Sequence, residues 1–271
     1  MSISFQLSTH MGTLLLNGVI DHDVAFEFEA GLDLLCDYYQ FEQVRLEINS
    51  GGGQVAALDQ MLASVQRWRR AGRQVATRAR FRAGSAAATL LAMGDVGTRC
   101  VSSSTILLFH PTRIEGGDAT ITAHAATSLG ALLQGVDLLH LGRLTEHQLR
   151  GFGGWHALAT EGAARCQQLE KESSGRRSSR LGRGLPTELI GRQSLGAAAR
   201  VFAQCLARHS IEPYQRMLSR RFAEDRRMPP SEAWALCLVD GIAERPDLQS
   251  HCQPERPLIG EPAARHLRPA V

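Results

Sequence analysis

Val44-Arg45-Leu46-Glu47-Ile48-Asn49-Ser50-Gly51-Gly52-Gly53 runs an apolar strand straight into three glycines. Glycine is poor strand material, and its use is where the backbone needs φ > 0 or where another group must pass close to bare peptide. A turn of this kind can aim N–H groups at an anionic oxygen, either a phosphate or a tetrahedral intermediate. Downstream of it, Val55–Arg70 places Leu58, Met61, Leu62, Val65 and Trp68 at helical spacing and closes at Gly72. Upstream, Thr13–Val19 reads as a strand and Asp21–Tyr39 as a helix. The unit strand, turn, helix repeats, so the fold class is α/β.

The same pattern continues. Gln74–Thr77 reads as a short strand, Ala86–Met93 as a small-residue helix capped by Gly94, and Arg99–Val101 and Ile106–Phe109 as strands. The helix 86–93 is apolar nearly all round, which places it inside. Thr122–Leu141 reads as a long helix. From about Leu144 the composition turns polar, glycine-rich and basic, through Gly151–Gly154 and Ser173–Arg180, and reads as loop. Leu195–His209 and Ser231–Leu238 are helical again, and the prolines and charges after Arg245 read as a disordered tail.

Composition excludes several classes. The 271 residues suffice for a full core, and the net charge of +3 is too small to imply a nucleic-acid partner. No run approaches the roughly 20 apolar residues of a membrane span, and Met1–Phe5 lacks the features of a secretory signal. Six scattered cysteines without CxxC spacing argue against a zinc site and fit a reducing cytoplasm. Lys171 is the only lysine and sits in a polar stretch, so serine chemistry here would use histidine as its base.

Three side chains stand in the order such chemistry needs. Ser85 follows Gly84 and opens the buried helix, where the helix field favours developing negative charge. Alone, it also reads as an ordinary N-cap. His110 ends the strand before it, and Asp225 lies far downstream beside Glu224.

These segments together resemble the proteolytic subunit of the Clp protease. That family has a strand ending Asn-Ser-Pro-Gly-Gly, a serine opening a small-residue helix, and a strand ending His-Gln-Pro. Asn49–Gly53, Ser85–Gly94 and Ile106–Thr112 match these, with nine positions from Ser85 to Gly94 and 25 from Ser85 to His110. Leu14–Asp21 resembles the family's first strand, and Asp225-Arg226, Ser231-Glu232-Ala233 and Leu238-Val239-Asp240 its acid, last helix and closing strand. The resemblance implies a Clp/crotonase-like spiral of strand–strand–helix units with a protruding handle helix. It implies Ser85 as nucleophile, His110 as general base and Asp225 as the orienting acid, with the N–H groups of Gly53 and Ala86 as oxyanion hole. The activity implied is a serine endopeptidase acting on unfolded polypeptide inside a cytoplasmic ring of copies. It needs no cofactor or metal, and ATP would enter only through an AAA+ unfoldase partner. Neither a membrane nor a nucleic acid is implied.

Departures shape the alternatives. Gly51 replaces the family's proline, which loosens the turn; Ala86 and Ala87 replace methionine and glycine; Pro111 follows the histidine; and Cys237 stands where a glycine usually ends the last helix. Residues 1–142 correspond to the core and the start of the handle, 143–196 to an insertion that reads as basic and partly disordered, 197–245 to the return with the acid, and 246–271 to a tail. Little precedes Thr13, which puts the family's axial loops, and with them a standard unfoldase, in doubt. The competing functions are a catalytically weak or inactive structural ring subunit and a crotonase-type acyl-coenzyme A enzyme.

Overall fold

The computed structural model describes residues 3–7, 12–113, 123–175 and 192–244. Its centre is a sheet in the order β1 (Ile3–Leu7), β2 (Gly12–Ile20), β3 (Gln43–Gly53), β4 (Gln74–Gly84), β5 (Arg99–Val101) and β8 (Gly241–Ile242). All neighbours are parallel except β1 with β2. Two more strands, β6 (Ile106–Leu108) and β7 (Arg227–Met228), branch from β4. Leu14, Leu16, Val44, Leu46, Ile48, Val75 and Ala79 point one way and are buried. That face carries α1 (His22–Asp33), α2 (Val55–Arg70) and α3 (Ala86–Ala92). The opposite face is polar, with Glu47 between Arg78 and Arg80 at 3.8 and 3.4 Å.

Local chemistry sets the helix ends. Asp21 caps α1 by accepting from Val24 N–H at 2.9 Å. Arg67, Arg69 and Arg70 crowd the last turn of α2, where cations suit the helix dipole.

Strand β4 is longer than the expected 74–77. It pairs with β5 over residues 77–79, then leaves it and pairs with β6 over residues 82–84. Arg80, Phe81 and Arg82 are exposed there, so burial gave no sign of the continuation. Its backbone is satisfied instead by the ladder to β3, which runs from Gln43↔Gln74 to Ser50↔Ala83. This second branch delivers the chain to Ser85.

The region expected to be loop differs most. The long helix α4 spans Ala123–Phe152, and α5 follows at Trp155–Gly175, so residues 143–175 are helical where irregular chain was expected. Gly153 and Gly154, at φ 79° and 123°, supply only the corner. Leu158, Ala159, Cys166 and Leu169 of α5 are buried, with Leu195, Ala198, Phe202 and Cys205 of α6 (Arg192–Arg208) and Tyr214 and Leu218 of α7 (Glu212–Ala223). Cysteines 36, 166, 205 and 237 are buried and free, as small core residues would be. Cys252 and the expected tail 246–271 lie outside the described residues, as do 176–191.

Arg165 of α5 reaches the centre of the molecule. Its Nη1 donates to the carbonyls of Trp234 and Val239 at 3.0 and 2.8 Å, and its Nη2 lies 3.6 Å from Asp240. Asp240, fully buried, also accepts from Arg99 Nε and Nη2 at 2.7 and 2.6 Å and from Gly97 N–H at 2.7 Å. Burial alone would raise this carboxyl, but Arg99 and Arg165 hold it below the usual aspartate range. The network ties β5, α5 and the segment after α8 (Pro230–Ala235) to one point.

Candidate active site

Ser85 sits at the corner between β4 and α3 with φ 52° and ψ −127°. An N-cap residue has extended φ/ψ and its side chain accepts from the first turn. Ser85 does neither, since its side chain makes no cap hydrogen bond. A left-handed φ on a residue with a Cβ costs on the order of 1–3 kcal/mol and persists only where the surroundings enforce it. Here they do. Ser85 N–H donates to Leu108 O at 2.7 Å, and Ser85 O accepts from the N–H groups of Ala88 and Thr89 at 2.9 and 3.1 Å.

The glycine turn presses on this corner. Gly52 has φ 103°, and a Cβ there would stand 2.5 Å from Ser85 Cβ, 2.6 Å from Gly84 O and 3.1 Å from Ala86 N. Only glycine lets the turn approach the serine so closely. Gly53 is pressed from the other side, where a Cβ would fall 2.0 Å from Ile20 O. The backbone after Gly52 and the N–H of Ala86, which has no intrahelical partner at the first position of α3, therefore border Ser85 from two directions. The loss of proline at Gly51 is offset by side chains: Ser50 Oγ accepts from Gly52 N–H at 3.0 Å, and the Arg82 guanidinium lies over Gly51.

His110 is two residues beyond the carbonyl that holds Ser85. Its Nδ1 lies 2.6 Å from Pro111 O. A carbonyl oxygen only accepts, so Nδ1 carries the proton of the neutral ring and Nε2 keeps its lone pair. That is the tautomer a serine base requires. The segment after it is fastened by Asp137 of α4, which accepts from Thr112 N–H at 2.8 Å and Thr112 Oγ1 at 2.6 Å.

Asp225 follows α7 with φ 50°, a conformation that aspartate tolerates better than most residues. The antiparallel pairs Leu107↔Met228 and Leu108↔Arg227 align the two strands. Continued two residues, that register sets His110 opposite Asp225. Phe109 and Phe222 stack beside them at 4.7 Å between centroids. Asp225 is nonetheless ion-paired with Arg113, while His110 Nδ1 is turned to Pro111. Glu224 is engaged elsewhere, 2.6 Å from Arg226 and 3.4 Å from Arg221. The structure thus brings Ser85, the glycine turn and the His110 strand together and aligns Asp225 by register, but His110 donates no hydrogen bond to Asp225.

Sequence reasoning missed Arg113, Asp137 and the contact role of Gly52. Arg113 carried no pattern at all. Gly52 was visible as part of the glycine run, but which glycine touches the serine depends on the β3–β4 register.

The family model for Clp protease matches residues 4–136. Over that span this chain belongs to the Clp protease family. The Clp match includes Gly52, Ser85 and His110 and stops before Asp225. The mainly parallel sheet with its helices is the Clp/crotonase-like arrangement. Among curated proteins none matches the chain. Clp proteases are peptidases, serine-type as a rule, and their members typically form rings. No helix among the described residues is long and apolar enough to cross a membrane, and no cluster of three metal-ligating side chains occurs among them.

Proposed function

We propose that this Clp-family chain is a serine endopeptidase using Ser85, His110 and Asp225. The observation that carries the reading is the backbone of Ser85. A left-handed serine that makes no cap bond, held between a glycine turn and the strand leading to His110, is placed for its Oγ rather than for its helix. Ser85 Oγ attacks the peptide carbonyl while His110 Nε2 takes its proton. The oxyanion is held by the N–H groups of Gly53 and Ala86. The C–N bond breaks as His110 returns the proton to the leaving amine. Water then enters, activated by the same imidazole, and hydrolyses the acyl-serine. Asp225 orients the ring and stabilises its cation. Substrates on this reading are unfolded polypeptides in the cytoplasm.

Ring assembly is supported by the middle of α4, where Leu132, Leu138 and Leu139 are 64, 58 and 50% exposed. Three leucines on one protruding helix are poorly placed in water and fit a second copy.

The competing reading is a structural ring subunit of little activity. The His110–Pro111 and Asp225–Arg113 contacts favour it, because the acid does not support the base. A fluorescent fluorophosphonate decides between them. Labelling of the full chain, lost in Ser85→Ala and strongly reduced in His110→Ala, establishes an activated serine. A folded oligomer that takes no label overturns the peptidase reading.

A further inference from the structure

Arg113 lies three positions after His110, on the segment that Asp137 fastens to α4. Its guanidinium holds Asp225, the carboxylate that the β6–β7 register sets opposite His110. The two side chains are 46 and 43% exposed, so solvent and solutes reach both. An exposed ion pair is worth no more than about 1 kcal/mol and exchanges readily. Arginine recognises carboxylates through its planar fork, and any other carboxylate reaching this spot competes with Asp225 on equal chemical terms. Arg82 and Arg227, both exposed, add positive charge near the glycine turn and on β7. Glu224 is already held by Arg226 and Arg221.

We infer that Arg113 is a specificity-determining residue that selects acidic substrate, a glutamate or aspartate side chain or a terminal carboxylate, by exchanging it for Asp225. The inference rests on the peptidase reading above. With no acidic group bound, Arg113 keeps Asp225, and His110 Nδ1–H donates to the Pro111 carbonyl, a neutral acceptor that gives the imidazolium no countercharge. When a substrate carboxylate takes Arg113, Asp225 is released opposite His110. The Nδ1–H then turns from Pro111 O to the Asp225 carboxylate, and Nε2 stays free for Ser85 throughout. No bond to carbon changes in this exchange. One ion pair replaces another, and one neutral hydrogen bond becomes charge-assisted, which strengthens it about twofold.

The test uses the full chain and two quenched fluorogenic peptides that differ only in carrying glutamates or glutamines. The native chain is expected to favour the glutamate peptide about tenfold in kcat/KM, the size of one charge-assisted contact. Arg113→Gln should lose that preference and cleave the glutamine peptide faster than the native chain does, because Asp225 is no longer held. Arg113→Lys should keep part of the preference. A native chain without preference, or an Arg113→Gln chain that retains it, overturns the inference. The His110 Nδ1–H proton resonance, read by NMR in Ser85→Ala, gives a second readout independent of turnover. It should move downfield when the glutamate peptide is added, or when Arg113→Gln is introduced, and return when Asp225→Asn is added. No movement overturns the exchange even if peptides are cleaved. If no chain cleaves or takes fluorophosphonate, the peptidase reading fails, and the resonance alone decides whether Arg113 holds Asp225.

Discussion

The serine corner and the acid loop meet at one strand, yet they are held by different means. Ser85 is placed by backbone: the carbonyl of Leu108, the first turn of α3 and the bare Cα of Gly52. Asp225 is placed by two strand pairs and then left half-exposed, its carboxylate on an arginine. The half of the site made by main chain is built before substrate arrives. The half made by long side chains in water is exchangeable. Asp240, 15 residues after Asp225, shows that the looseness belongs to the acid loop alone, for it is fully buried and saturated with donors.

The largest effect should come from breaking that fixed aspartate. Asp240→Ala leaves Arg99 and Arg165 buried and uncompensated, and removing one partner of such a group costs about 3–5 kcal/mol. Urea unfolding should show a fall of that size in the full chain. If the variant unfolds no earlier than the native chain, the network is not what fastens α5 and the closing segment to the sheet.

Next in size is the serine corner. Gly52→Ala drives a methyl to 2.5 Å from Ser85 Cβ at a φ of 103°. Neither the ladder to β2 nor the corner can give way cheaply, so fluorophosphonate labelling should fall about a hundredfold or more, the cost of losing one oxyanion-hole contact. The folded far-ultraviolet circular dichroism should remain. Normal labelling would mean that the turn does not border the nucleophile in solution, and the contrast between the two halves would collapse.

How much of this was legible in the sequence follows the same division. The glycine run, the strand before it, Ser85 and His110 are local patterns, but the strand runs on through the expected turn, with Gly52 and Gly53 paired to Val19 and Ile20 of β2. Asp225 was singled out from Glu224 only by its spacing to Asp240. The helices over 143–175 were not legible, because Gly151–Gly154 and the serines and charges after Glu170 hide a buried face of only a few residues, Leu158, Ala159, Cys166 and Leu169. Arg165 was equally hidden. One buried arginine in a polar helix has no sequence signature, since its reason is the carboxylate of Asp240, 75 positions away.

A pH effect should separate the fixed end of α4 from its exposed start. His147 donates Nε2–H to Gly94 O at 2.7 Å, and burial, with Arg69 nearby, pushes its pKa down to about 3. An unfolded histidine titrates near 6.5, so between about 6.5 and 3 the unfolded chain binds a proton that the native chain refuses. Stability is therefore full above about pH 6.5 and falls as pH drops, by about 2 kcal/mol at pH 5 from this group alone. His147→Gln should flatten the fall in melting temperature between pH 7 and 5 relative to the native chain. An unchanged slope would place the acid sensitivity elsewhere.

The smallest effect tests whether the exchangeable half is steadied from α4. Asp137 accepts two hydrogen bonds from Thr112 and so fixes the chain between His110 and Arg113. Asp137→Ala leaves the Thr112 groups to water, which is accessible there because both residues are only partly buried. The cost to stability should be about 1 kcal/mol. The effect on chemistry should be larger for acidic substrate than for fluorophosphonate. The neutral probe needs Ser85 and His110 alone, whereas the acidic peptide needs Arg113 held in reach of Asp225. A few-fold loss in kcat/KM on the glutamate peptide, with labelling nearly unchanged, would place Asp137 on the exchangeable half. An equal loss in both would mean that α4 steadies His110 itself, and that the boundary between the fixed and exchangeable halves lies one residue earlier than the backbone contacts indicate.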